Sequence, residues 1–145
     1  MTYDAVLFDF DGVLADTEPL HYACWREVLA PFGVRLDWET YHQHFVGVSD
    51  RAMLDFVARQ ASPPVTAEAL WSRYDDKRAL FRTRAEAADL IPAATVEMLH
   101  SLAGSKLAVV TSSGRREVEP LLERAGVRAL FGATVYREDV ARHKP

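Results

Sequence analysis

The stretch Ala5-Val6-Leu7-Phe8-Asp9-Phe10-Asp11-Gly12 runs from four apolar residues straight into two acids and a glycine. A short continuous apolar run that ends in a polar turn reads as a strand buried on both faces and feeding a loop, the strand type of parallel sheets. Side chains alternate along a strand, so Asp9 and Asp11 both project toward the crevice where open α/β sheets hold ligands, and Gly12 lets the backbone turn closely behind them. Two carboxylates this close do not both ionise freely without compensation. The pair therefore points either to a bound metal or to an acid-base division of labour. A calcium loop is excluded, because it needs its glycine at position six and Gly12 stands at position four.

A second run, Leu107-Ala108-Val109-Val110, ends at Thr111-Ser112-Ser113-Gly114. After it, Val118, Leu121, Leu122 and Ala125 recur at helical spacing until Gly126 supplies a stop. A weaker third strand is predicted over 133–136, so this half alternates strands and helices as an α/β sheet does. Between Asp16 and about Asp89 the texture is helical instead. Leu20, Cys24, Trp25, Val28, Leu29 and Phe32 share one face of a helix that stops at Gly33, and Asp37 and Ser49 read as N-caps. Pro63-Pro64 breaks the run. One long helix is expected from Thr66, with Leu70, Tyr74, Lys77 and Phe81 on one side, and Ile91-Pro92 opens the helix leading to the second strand. The expected architecture is an α/β core of residues 1–15 and 90–145, with a helical lobe at 16–89. The paired linkers, near Ala15-Asp16 and Asp89-Pro92, can act as a hinge.

Composition narrows the function classes. The 145 residues suffice for one domain or two small lobes with a real core. Seventeen Lys and Arg against twenty-one Asp and Glu give a formal charge of -4, so no global positive field attracts nucleic acid or an anionic membrane. The single cysteine, Cys24, cannot pair within the chain and is expected in helix packing. The sequence contains no apolar stretch of membrane-spanning length, and the amino terminus carries an acid where a signal peptide carries basic residues, so a cytoplasmic protein is expected.

The segment Phe8-Asp9-Phe10-Asp11-Gly12-Val13-Leu14-Ala15-Asp16-Thr17 resembles the first motif of the haloacid dehalogenase superfamily, D-x-D-G-[VT]-[LI]-x-D-[ST]. The resemblance is to the branch that includes β-phosphoglucomutase and phosphoglycolate phosphatase. It extends through a four-helix cap after motif one, a strand ending in Thr or Ser, and the terminal Lys144-Pro145.

The resemblance implies phosphoryl transfer in two steps. Asp9 attacks phosphorus to form an aspartyl-phosphate, and Asp11 first protonates the departing alkoxide, then deprotonates the incoming water or sugar hydroxyl. It also implies Mg2+, held by the Asp9 carboxylate and the Asp11 backbone carbonyl. Thr111, or Ser112 one residue on, is the motif-two hydroxyl that holds a phosphoryl oxygen, and Lys144 is the motif-three lysine. In the cap, His21 corresponds to a histidine that helps position the acid-base aspartate, and Lys77 to a substrate-facing lysine. Phe45 to Leu54 resembles the specificity loop, with Asp50 where the mutases have arginine and Arg51 one residue on. The other histidines, His42, His44, His100 and His143, read as surface residues.

The fourth, acidic motif of the family is absent, and with it the strands expected beside the first one. The expected metal site is thus short of carboxylates. The 145 residues read as a fragment, or as a shortened protein that covers the open edge of its first strand by self-association. The leading reading is a Mg2+-dependent hydrolase of a small phosphorylated metabolite, a sugar phosphate or phosphoglycolate-like ester. A mutase and a catalytically incompetent ligand-binding protein are the alternatives. A receiver domain ranks last, because it lacks the helical insert.

Overall fold

A computed structural model describes residues 3–142; the motif-three Lys144 lies outside them. The chain divides into two compact units, Met1–Thr17 with Ala85–Pro145, and Glu18–Arg84.

The first unit is built on a parallel sheet. Strands β1 (Val6–Phe8), β2 (Leu107–Val110) and β3 (Phe131–Val135) lie in the order β1-β2-β3. Register pairs Phe8 with Val109, so the loops that leave β1 and β2 emerge side by side at the carboxyl ends of the strands. Between β2 and β3 the register slips after Leu107, which pairs with Phe131 while Ala108 pairs with Ala133, leaving Gly132 as the extra residue.

The strand reading of β1 needs a correction. It is not buried on both faces: Leu7 is 66% exposed. β1 forms one edge of the three-stranded sheet, and among the described residues no strand pairs with its outer side. The core of this unit includes Phe10, Leu14, Leu99, Val109, Leu122 and Tyr136 instead, each almost fully buried. The third strand also starts two residues earlier than its apolar pattern suggests, at Phe131, whose ring meets Phe8 edge-on at 6.3 Å.

The second unit is helical throughout: α1 (Glu18–Leu29), α2 (Trp38–His44), α3 (Asp50–Gln60), α4 (Ala67–Trp71) and α5 (Tyr74–Ala85). Asp37 and Ser49 cap helices as the sequence suggests, and Thr66 caps a third. The Asp37 side chain accepts from Thr40 N–H, Ser49 from Ala52 N–H and Thr66 from Ala69 N–H, each satisfying a donor the helix cannot. Gly33, at φ 71°, turns the chain after α1 in the left-handed region where a β-carbon is costly. The long helix expected from Thr66 is divided in two. Ser72 turns its hydroxyl back onto the Ala69 carbonyl at 2.7 Å, a local bond that competes with helix propagation, and α5 restarts at Tyr74. Trp25, Leu29, Leu54 and Leu70, all inaccessible to solvent, form the centre of this unit.

Candidate active site

Two loops of the first unit build the site. The loop after β1 is tight: Leu14 and Ala15 amides both bond back to the Phe10 carbonyl, and Gly12 N–H donates to the Ala15 carbonyl at 2.9 Å. Gly12 has φ 72° with open space where a β-carbon would stand, so its backbone conformation rather than crowding calls for glycine. Phe10 is buried at 1% exposure, between the exposed Asp9 and the half-buried Asp11. Asp9 is exposed and accepts a hydrogen bond from Phe10 N–H at 2.7 Å.

The Asp11 carboxylate is surrounded by hydroxyls. Thr17 Oγ1 donates to Oδ1 at 2.7 Å, Ser113 Oγ donates to Oδ2 at 2.5 Å, and Thr111 Oγ1 reaches Oδ2 at 3.5 Å. Thr111 is buried because it sits at the end of β2, where its N–H continues the sheet to the Val135 carbonyl at 3.0 Å. Its hydroxyl in turn accepts the Ser113 N–H at 3.0 Å. Ser112, the alternative motif-two hydroxyl, is exposed at the surface of the loop. The sequence reading missed Ser113 and Thr17. Thr17 closes the ten-residue motif and could have been found there, whereas Ser113 is marked by nothing except its place beside Thr111.

A braced network backs this loop. Tyr136, just after β3, is fully buried and donates its phenol to Glu119 Oε1 of helix α6 (Arg115–Arg124) at 2.5 Å. Arg128 Nε donates to the other Glu119 oxygen at 2.6 Å, and the Arg115 guanidinium lies 4.4 Å from the Tyr136 ring centre. Burial alone would raise the Glu119 carboxyl, but the bonds from Arg128 and Tyr136 outweigh it and hold the group below the usual carboxylate range. Burial, then the bond to Glu119, pushes the Tyr136 phenol up.

The second unit holds the remaining predicted residues. Lys77 is 4% exposed, its ammonium 2.9 Å from His21 Nδ1 and 3.6 Å from Asp50 Oδ2, and 5.3 Å from the centre of the Trp25 ring. His21 stacks on Phe81 with ring centres 4.2 Å apart. Asp50, at the first turn of α3, also accepts from Trp25 Nε1 at 2.8 Å. Lys77 is thus enclosed within its own unit and charge-paired there. Arg51 is engaged too, by Glu68 and by Asp55, and lies over the Trp71 ring at 5.3 Å. Cys24 is buried on α1, and that burial raises its thiol.

Among the described residues no three His, Cys, Asp or Glu side chains converge as a metal cluster. Nor is any described helix long and apolar enough to cross a membrane.

Comparison with known proteins places this geometry. The pattern of the family described as haloacid dehalogenase-like hydrolase matches residues 6–145. The chain is 32% identical to the fructose-1-phosphate phosphatase YqaB of Escherichia coli, over 99% of this chain and 74% of the relative. It is 30% identical to a phosphorylated carbohydrates phosphatase of Thermotoga maritima, over 98% of this chain and 65% of the relative. The crystal structure of CbbY from Rhodobacter sphaeroides in complex with phosphate superposes with a TM-score of 0.75 at 27% identity, covering 99% of this chain and 68% of that one. Across these three, the chain spans roughly two thirds to three quarters of the relative's length. A parallel sheet with an acid-rich loop after its first strand, a buried threonine after its second and a family match along nearly the whole sequence lead to one conclusion: this chain belongs to the haloacid dehalogenase-like hydrolases.

Proposed function

We propose that the protein is a phosphohydrolase acting on a small phosphate monoester, a carbohydrate phosphate or phosphoglycolate-like ester, through an aspartyl-phosphate on Asp9. The observation that carries this reading is the contrast between two neighbouring acids. Asp11 has hydroxyls against both carboxylate oxygens, while Asp9 is exposed at the strand end. A nucleophile must be reachable; an acid-base group must be held. The relatives named for fructose 1-phosphate and for phosphorylated carbohydrates support the substrate class.

In the first step an Asp9 oxygen bonds to phosphorus as the bond to the ester oxygen breaks, and Asp11 gives its proton to that oxygen, releasing an alcohol. In the second, Asp11 takes a proton from water, the water oxygen bonds to phosphorus, and the bond to Asp9 breaks. The products are an alcohol and inorganic phosphate, with both carboxyl groups returned to their starting states. Thr111 contributes a hydroxyl for a phosphoryl oxygen, and Lys144 a compact cation against the same group.

The donor set suits Mg2+. Exposed Asp9 offers a hard carboxylate oxygen and Asp11 a backbone carbonyl, while the Asp11 side chain is committed to hydroxyls. Mg2+ takes few protein ligands and keeps several waters, so one carboxylate and one carbonyl are compatible with it; bound there, it would neutralise phosphate charge.

The test is phosphate release by the full-length protein from fructose 1-phosphate and phosphoglycolate with Mg2+. Turnover of either, abolished in Asp9→Asn, supports the proposal; no release from any ester in a broad sugar-phosphate panel refutes it. A mutase would instead move the phosphoryl group to a second hydroxyl, giving an isomeric sugar phosphate and no inorganic phosphate.

A further inference from the structure

The hydroxyl contact between Ser113 and Asp11 is explained neither by the first-motif pattern nor by a phosphate-binding role for Thr111. We infer that Ser113 is the positioning residue for the acid-base step: its hydroxyl fixes the orientation of the Asp11 carboxyl toward the ester oxygen. This deepens the phosphohydrolase reading and rests on it.

Three features support the inference. First, the Ser113 backbone is pinned on both sides. Its N–H donates to Thr111 Oγ1 at 3.0 Å, and its carbonyl accepts from Arg137 N–H at 3.1 Å, tying the loop after β2 to the chain leaving β3. The direction of the Ser113 Cα–Cβ bond is therefore set by the fold rather than by the ligand. Second, Ser113 and Thr17 bond different oxygens of the same carboxylate, 2.5 and 2.7 Å away. Two donors on opposite oxygens fix the rotation of the group, which one donor does not. Third, the residue type suits the task. A hydroxyl donates to a carboxylate and accepts from a carboxylic acid, so it stays bonded to Asp11 before and after proton transfer; an arginine or lysine would hold the group in its ionised form. Removing Ser113 takes away the shorter of two hydroxyl contacts to Oδ2, leaving Thr111 at 3.5 Å, the edge of hydrogen-bonding distance.

The leaving group provides the test. Expulsion of an alkoxide from a sugar phosphate needs a proton, whereas p-nitrophenolate leaves without one. kcat/KM reports only steps through the first irreversible one, here transfer to Asp9. In full-length protein with saturating Mg2+, Ser113→Ala should lower kcat/KM for fructose 1-phosphate about 10- to 100-fold and for p-nitrophenyl phosphate less than about threefold. Ser113→Thr should restore the sugar-phosphate value to within about threefold. Retained aryl phosphatase activity also shows that the variant folds. Equal losses on both esters, unchanged values on both, or a rise in KM alone for both would overturn the inference. The last of these would make Ser113 a phosphate ligand. A wild-type protein inactive on both esters would instead overturn the phosphohydrolase reading, and this inference with it.

Discussion

The Lys77 ammonium sits 2.9 Å from His21 Nδ1, across 56 positions of sequence. An ammonium only donates, so Nδ1 must accept and the ring proton lies on Nε2. Lys77 thereby sets the tautomer of a histidine it meets only through the fold. Proton-detected nitrogen spectra of labelled protein should show the Nε2–H form of His21, and Lys77→Met should remove that preference. Because Lys77 also faces Asp50, the same change should lower stability by about 1–2 kcal/mol, measured by urea titration.

Asp9→Asn should reduce phosphate release at least about 10³-fold while shifting the melting temperature by no more than about 2 °C. The side chain is exposed, and the amide oxygen of asparagine can still accept the Phe10 N–H. Trapping of acid-stable phosphate on the protein should vanish in the same variant.

Removal of divalent cation should abolish turnover without unfolding the chain. The sheet register and the hydroxyl contacts to Asp11 join protein groups to one another and use no metal as a partner. Chelator-treated protein should melt within a few degrees of untreated protein, and added Mg2+ should restore phosphate release.

The Glu119, Tyr136 and Arg128 network predicts how stability depends on pH. Glu119 is held below its ordinary value, so its contribution is present above the unfolded carboxylate pKa of 4.5 and disappears as pH falls through the lower folded value. Tyr136 is raised, so its contribution is complete below the unfolded phenol pKa of 10.0 and disappears as pH rises through the higher folded value. Glu119→Gln should flatten the acid limb of a melting-temperature profile and lower the plateau by about 5 °C.

Local signals were enough for many elements. Asp37, Ser49 and Thr66 cap helices because a side-chain oxygen next to orphan amides is a local solution, visible in any sequence. Residues 107–110 form a strand for an equally local reason, a β-branched apolar run between polar turns. The reading of one long helix from Thr66 failed because apolar spacing continues through Ser72, while the bond that breaks the helix involves a single hydroxyl. β1 was read as doubly buried from its apolar residues, yet burial depends on which strands lie alongside, and Leu7 is open.

The same division holds at the site. Asp9, Asp11 and Gly12 are legible as a triplet because a strand, a turn and paired acids stand within eight residues, and the sequence by itself determines the family. Only the tertiary structure decides that Ser113 rather than Ser112 meets Asp11, and that Lys77 is buried against His21 and Asp50 rather than open to solvent. Such contacts join positions 56 and 102 residues apart. No periodicity spans that distance; it is closed by parallel strand register in one unit and by helix packing in the other.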